Sequence, residues 1–354
     1  MLRNEVFINA LLRKPVSYTP VWFMRQAGRY LPEYRKIRAK AGSFMNLVTN
    51  PYYACEITLQ PLERYPLDAA ILFSDILTVP HAMGLGLNFI EGKGPEFSFP
   101  LNTEISISKL QVPNIEELNY VFDAVKLVIK ELDGKVPLIG FSGSPWTLAC
   151  YMVEGKSNTD YKTIKTMLYS RPDLLNRILE INTESVINYL NAQIDAGVQA
   201  IMLFDSWGGI LSDDAFKRFS LIYNQKIFNS IKQRHDGKKI PIIHFTKGGS
   251  IWIKDIADSG CDAISVDWTL NLNSARKIVN DSVALQGNMD PMVLFGDYDS
   301  IFKEARRIID SFGMVGDSSA HIFNLGHGIN KDTPFELVLD LVNEIHDYSR
   351  KYHV

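Results

Sequence analysis

Short apolar runs recur along the chain, each closing on a polar residue or a glycine. Eight stand out, at positions 20–24, 69–73, 137–141, 200–204, 241–245, 263–266, 283–286 and 322–325. Each has the length and unbroken apolarity of a strand buried on both faces, as parallel strands are. Helical spacing lies between most of them. Leu118, Val121, Phe122, Val125, Ile129 and Leu132 repeat at three and four, and Gly134 follows as a stop. Leu174, Leu175, Ile178 and Ile181 repeat in the same way before position 200. Asn273 or Ser274 is placed to cap a helix through Val279, and Thr333-Pro334 to open a last helix over 335–348. Strand and helix alternating eight times predict an α/β chain, a (β/α)8 TIM-type barrel with residues 1–354 as one domain. A doubly wound open sheet is the competing arrangement. It calls for a glycine fingerprint after the first strand, and here Arg25-Gln26-Ala27-Gly28-Arg29 stands instead.

In a barrel the chemistry sits in a cleft at the C-terminal ends of the strands. The residues predicted there are Arg25 and Arg29, Ser74 and Asp75, Ser142 and Ser144, Asp205 and Ser206, His244, Asp267, Gln286 and Asn288, and His327. Two arginines four apart, with small residues between, suit bidentate recognition of carboxylate or phosphate; a solvated loop is the plainer alternative. Arg35 and Arg38 extend the positive region on a predicted helix. Asp75 follows a wholly apolar run. There it is either a cap or ion-pair partner, or an acceptor that stabilises developing positive charge. His327 stands between Gly326 and Gly328, which allow close backbone approach to a ligand; a core histidine is the alternative. His244 has the same two readings, with the core one preferred. Tyr151 is either core or cleft, and Ser206 either a cap or a contact. No lysine is expected at a strand end in position for a Schiff base.

Composition narrows this picture. The 354 residues carry 46% apolar and 22% charged side chains, ordinary for a globular chain, and a net charge of −3. No basic excess points to nucleic acid, so an anionic ligand is to be held by local cations. Cys55, Cys150 and Cys261 are far apart and form no CxxC pair, which leaves three reduced thiols as the expectation. The N-terminus lacks a secretory pattern, and the best apolar run, 67–80, is interrupted by Asp68, Ser74 and Asp75. A cytoplasmic protein without a membrane partner is expected. No metal-ligand spacing, GxSxG elbow or Walker A sequence is present.

Five segments resemble one family. The stretch Pro20-Val-Trp-Phe-Met-Arg-Gln-Ala-Gly-Arg-Tyr-Leu-Pro-Glu-Tyr-Arg and the stretch Gly140-Phe-Ser-Gly-Ser-Pro-Trp-Thr-Leu-Ala-Cys-Tyr-Met-Val-Glu-Gly resemble signatures of the uroporphyrinogen decarboxylases. Phe73-Ser-Asp-Ile-Leu, Gln286-Gly-Asn-Met-Asp-Pro and Asn324-Leu-Gly-His-Gly-Ile match as well. The resemblance implies a barrel, a homodimer and a carboxy-lyase of haem and tetrapyrrole biosynthesis. Its implied reaction converts the four acetates of uroporphyrinogen III to methyls without a cofactor or metal. It implies Asp75 and Arg25 as catalytic residues. It implies substrate contacts from Arg25, Gln26, Ala27, Gly28, Arg29, Arg38, Asp75, Tyr151, Ser206 and His327. Two other readings stay open. One is a corrinoid-dependent methyltransferase, which needs a zinc-binding cysteine two residues after a histidine where His244-Phe245-Thr246 has threonine. The other is a tetrapyrrole carrier without catalysis.

Overall fold

The computed structural model describes residues 2–90, 94–156 and 160–353. Seven parallel strands form its main sheet. They are β1 (Ala70–Ile71), β2 (Leu138–Gly143), β3 (Ala200–Asp205), β4 (Ile242–Thr246), β5 (Ala263–Ser265), β6 (Ala284–Gln286) and β7 (His321–Ile322). Each neighbours the next in chain order, as right-handed crossovers with intervening helices require. Every strand residue is buried except Phe204, which is half-buried. That burial on both faces is why the strands read as continuous apolar runs rather than as alternating ones.

The first of the eight predicted strands departs from expectation. Segment 20–24 contributes only an isolated bridge, Val21 to Phe323. The reason is local. Pro20 has no N–H to give to a ladder, and the Val21 N–H is taken at 2.8 Å by the side chain of Asp68. The segment still reaches both neighbours. Asp68 donates its N–H to the Val21 carbonyl at 2.9 Å, and Phe323 donates to the Pro20 carbonyl at 2.8 Å.

The helices follow their apolar stripes. Helix Asn119–Leu132 buries Val121, Phe122, Val125, Val128 and Leu132. Its stop begins one residue before Gly134, with Asp133 already left-handed at φ 44°. The long helix Pro172–Ala196 ends at Gly197, also left-handed. Two predicted helix starts move. Asn271, not Asn273 or Ser274, caps helix Leu272–Val279, and its side chain accepts both of their N–H groups. The last helix runs Leu337–Ser349, two residues later than the Thr333-Pro334 signal suggests. The apolar core is one cluster extending from Phe7 to Ile345. Among the described residues no helix is long and apolar enough to cross a membrane.

One carboxylate ties these parts together. Asp68, 1% exposed, accepts from Asn4 at 3.1 Å, from the Tyr18 hydroxyl at 2.8 Å and from the Val21 N–H at 2.8 Å. It also meets the His346 ring nitrogen at 2.7 Å. Removing it strands buried donors from the N-terminal segment and the last helix together. Asp68→Ala is expected to lower unfolding free energy by about 3 kcal/mol or more, read from urea unfolding. A loss below about 1 kcal/mol, the size of one ordinary hydrogen bond, would show that the node is dispensable.

Candidate active site

The site grows from the turn that follows Val21. Arg25 sits in the left-handed region at φ 63°, a conformation that costs an L-residue about 1 kcal/mol. Its side chain is exposed and crosses the loop around His327 so closely that a Cβ on Gly328 would lie 2.3 Å from the Arg25 Cδ. The two loops are also joined by the Ile329 N–H, which donates to the Met24 carbonyl at 2.8 Å. Gly326 is tight against Trp268 in the same way. The glycines beside His327 therefore admit Arg25 and Trp268, where the sequence suggested a ligand.

Gln26 stands apart from its neighbours. It is fully buried; its side-chain carbonyl accepts from the Phe23 N–H and its amide donates to the Ala69 carbonyl, both at 3.0 Å. Both ends of the side chain brace the turn against β1. By contrast, among the described residues nothing accepts the backbone N–H groups of Ala27, Gly28 or Arg29. Successive free N–H groups of this kind form a concavity suited to an anion. Arg29 is exposed, and its carbonyl is held at 3.0 Å by Arg35. Arg38, half-buried on helix Pro32–Ala41, places its charge near Tyr34 together with that of Arg29.

Asp75 follows β1 in a turn built around itself. Its Oδ1 accepts the Leu77 N–H at 2.8 Å, and its carbonyl accepts the Thr78 hydroxyl at 3.0 Å. Desolvation pushes its carboxyl above the usual carboxylate range, while the Leu77 N–H and the Arg25 charge oppose that shift. No side chain makes a hydrogen bond to this carboxylate among the described residues. The group is thus half-buried, close to a cation and not neutralised by a salt bridge.

Of the other predicted residues, Tyr151 and His327 lie within reach of the Arg25 charge. Tyr151, half-buried on helix Pro145–Glu154, has its hydroxyl pKa raised by burial first and then by Asp75, with Arg25 acting in opposition. Its ring lies 6.1 Å from that of Trp207. The helix is aimed by Asp205, a buried carboxylate that accepts Ser144 at 2.6 Å, Thr147 at 3.0 Å and Ser220 at 2.6 Å. Asp205 is therefore spent on architecture, and half-buried Ser206 is the residue that follows it. His327 is half-buried, and its pKa falls to about 4, through burial first and then the charges of Arg25 and Lys247. It is neutral near pH 7. His244 is a core histidine, fully buried and bonded to Asn224 at 3.2 Å.

Lys247 is a strand-end lysine that the sequence reading, which looks only for a Schiff-base position, passes over. β4 extends one residue beyond the predicted run, to Thr246, which puts Lys247 at its C-terminal end. The Lys-Gly-Gly sequence directly after an apolar run was the signal available. Among the described residues no group of three or more His, Cys, Asp or Glu is arranged to hold a metal ion.

Fold and site together define a parallel α/β protein in which Arg25, without a salt bridge among the described residues, lies near the carboxylate of Asp75 beyond the strand ends. The model of the family described as uroporphyrinogen decarboxylase (URO-D) matches residues 2–348. The chain belongs to that family. It is 62% identical over 352 residues to the uroporphyrinogen decarboxylase of Bordetella bronchiseptica, covering 99% of this chain and 98% of that one. It is 60% identical to that of Methylibium petroleiphilum, covering 99% and 95%. Among solved structures, a methyltransferase from Methanosarcina mazei matches with a TM-score of 0.80 at 24% identity over 97% of each chain. A B12-independent methionine synthase from Shewanella matches with a TM-score of 0.52 at 12% identity, also over 97% of each. These two share the fold.

The strained turn yields a prediction. Arg25→Ala and Arg25→Gly both remove the guanidinium, but only glycine relaxes at φ 63°. Arg25→Gly is expected to be about 1 kcal/mol more stable than Arg25→Ala in urea unfolding. Equal stabilities would place the turn outside the left-handed region in solution.

Proposed function

We propose that this chain is a carboxy-lyase that removes the four acetate carboxyl groups of uroporphyrinogen III as CO2, giving coproporphyrinogen III. The observation that carries this reading is Asp75, a carboxylate in a desolvated turn beside Arg25 with no salt bridge to satisfy it. Identities of 58–62% to curated uroporphyrinogen decarboxylases over nearly the whole chain support the same substrate. The reading includes one domain over residues 1–354 and closure of the sheet into a (β/α)8 barrel through segment 20–23. Support comes from the hydrogen bonds of that segment to Asp68 on one side and Phe323 on the other. It also includes a homodimer working in the cytoplasm without a cofactor.

The chemistry follows from the substrate. Its pyrrole N–H groups point to the centre of the macrocycle, where one carboxylate accepts several of them, and Asp75 takes that place. Protonation of the ring carbon beside an acetate makes a cationic ring. The bond from the acetate methylene to its carboxylate then breaks, its electron pair enters the ring, and CO2 leaves. A second proton on the methylene, with loss of the ring proton, gives the methyl. Each cycle consumes one proton and releases one CO2. The substrate is its own electron sink, the part that a bound cofactor supplies elsewhere. Ionised Asp75 stabilises the positive ring.

Arg25 orients the departing carboxylate or the water that delivers a proton; a guanidinium with a pKa above about 12 is a poor acid by itself. Arg29, Arg38 and the N–H groups of Ala27 and Gly28 hold the remaining carboxylates. Tyr151, Ser206 and neutral His327 contribute hydrogen bonds, and Gln26 holds the turn in place. The methyltransferase reading has no support at His244, whose ring is enclosed by Asn224 and Thr246.

Anaerobic incubation of metal-free protein with uroporphyrinogen III is expected to yield seven-, six-, five- and four-carboxyl products in turn. An intact eight-carboxyl pool would reject the reaction. Asp75→Asn is expected to lower kcat by about 100-fold or more with folding retained, measured as CO2 release; unchanged turnover would remove its electrostatic role. Because Asp75 acts ionised and its pKa is raised, activity should fall on the acid side through a pH above the ordinary carboxylate value. Arg29→Ala is expected to raise KM about tenfold, the loss of one charge-assisted contact. Normal KM in that variant would remove Arg29 from the carboxylate set.

A further inference from the structure

Lys247 has no part in the mechanism above, yet its surroundings single it out. Several exposed lysines are ion-paired, among them Lys217 with Asp213, Lys239 with Asp262 and Lys254 with Asp258, while others on the helical exterior, such as Lys303, have no such pair among the described residues. Lys247 is exposed and makes no ion pair among the described residues. Its backbone, by contrast, is tightly held. Its carbonyl accepts the Gly209 N–H at 3.1 Å, and a Cβ on Gly209 would lie 2.2 Å from that oxygen. The next residue, Gly248, donates its N–H to Asp267 at 2.7 Å, and the other oxygen of Asp267 is taken by Thr269. The adjacent strand's acid is thereby spent on backbone and hydroxyl groups, and the lysine is left with its charge free.

Strand register places Lys247 at the C-terminal edge of the sheet, one step beyond Thr246. Asp205 of β3 is the partner of Thr246 of β4, so Ser206 and Lys247 form the next step along the rim. Residues two apart on a strand share a face, and the ring of Phe245 lies 5.9 Å from that of His327. Lys247 acts on His327 from the same side, as Arg25 does from the other loop. Counted around the sheet from segment 20–23, β4 is four elements away in either direction. It is the point of the rim farthest from the arginine loop. A macrocycle bearing carboxylates on every side presents one to this part of the rim as well, where an unpaired cation can meet it.

We propose that Lys247 binds a substrate carboxylate on the rim opposite Arg29 and Arg38, with Ser206 and His327 as its hydrogen-bonding neighbours. This rests on the decarboxylase reading. The lysine fixes the orientation in which the macrocycle sits over Asp75, and it takes no part in bond breaking.

The test compares parent, Lys247→Ala, Lys247→Arg and a charge control on the far helix 298–312, Lys303→Ala. Lys247→Ala is expected to raise the KM for uroporphyrinogen III about tenfold with kcat within about threefold, and to flatten the salt dependence of kcat/KM. Lys247→Arg should restore most of the KM, and Lys303→Ala should leave it unchanged. In the substrate-free protein, the NMR titration of His327 should move upward from about 4 in Lys247→Ala, a shift that a purely structural role would not produce. A KM within about twofold of the parent, or an equal rise in Lys303→Ala, would overturn the assignment while leaving the decarboxylase reading intact. If the parent itself releases no CO2, both readings fall together.

Discussion

The cleft depends on Asp68. Its carboxylate binds the Val21 N–H, its own backbone N–H binds the Val21 carbonyl, and His346 reaches it from the last helix. Four residues after Val21 the chain turns through Arg25, and four further on lies Arg29. The functional turn is therefore cantilevered from a buried polar node. A charge this deeply buried is tolerable only when its acceptor sites are filled. Filling them requires the N-terminal segment, β1 and the C-terminal helix to be in place at once.

Around the cleft, polar groups divide into two sets. Asp205, Gln26 and Asp267 have their hydrogen bonds satisfied within the protein, and they fix loops and helix starts. Arg25, Arg29 and Lys247 make no ion pair among the described residues, and Asp75 accepts only the Leu77 N–H on its carboxylate. Holding like-charged cations near a half-buried carboxylate without pairing them costs stability, as does the left-handed backbone at Arg25. In the proposed function, the carboxylates of the substrate supply the offset. This is the arrangement expected of a preorganised electrostatic site, in which dipoles and charges are set before the reaction begins.

The fold by itself does not settle the chemistry. A methyltransferase at 24% identity shares the architecture over 97% of both chains. Chemistry is decided by which side chains stand at strand ends, and the fold leaves those positions free to vary.

Much of this was legible in the chain itself. Seven of the eight apolar runs became strands, because a strand buried on both faces must be apolar throughout, and such runs are visible without neighbours. Asp75 was legible for the same reason, as a charge at the end of an apolar run. The first strand was not, since its N–H goes to the side chain of Asp68, 47 positions away. Neither was the inward amide of Gln26, the loop pairing that brings Arg25 over Gly328, or the free charge of Lys247. Sequence determines what each segment can bury and where the chain must turn. Whether a polar group is spent on the protein or left for a ligand depends on partners brought close only by folding, and that the tertiary structure alone decided.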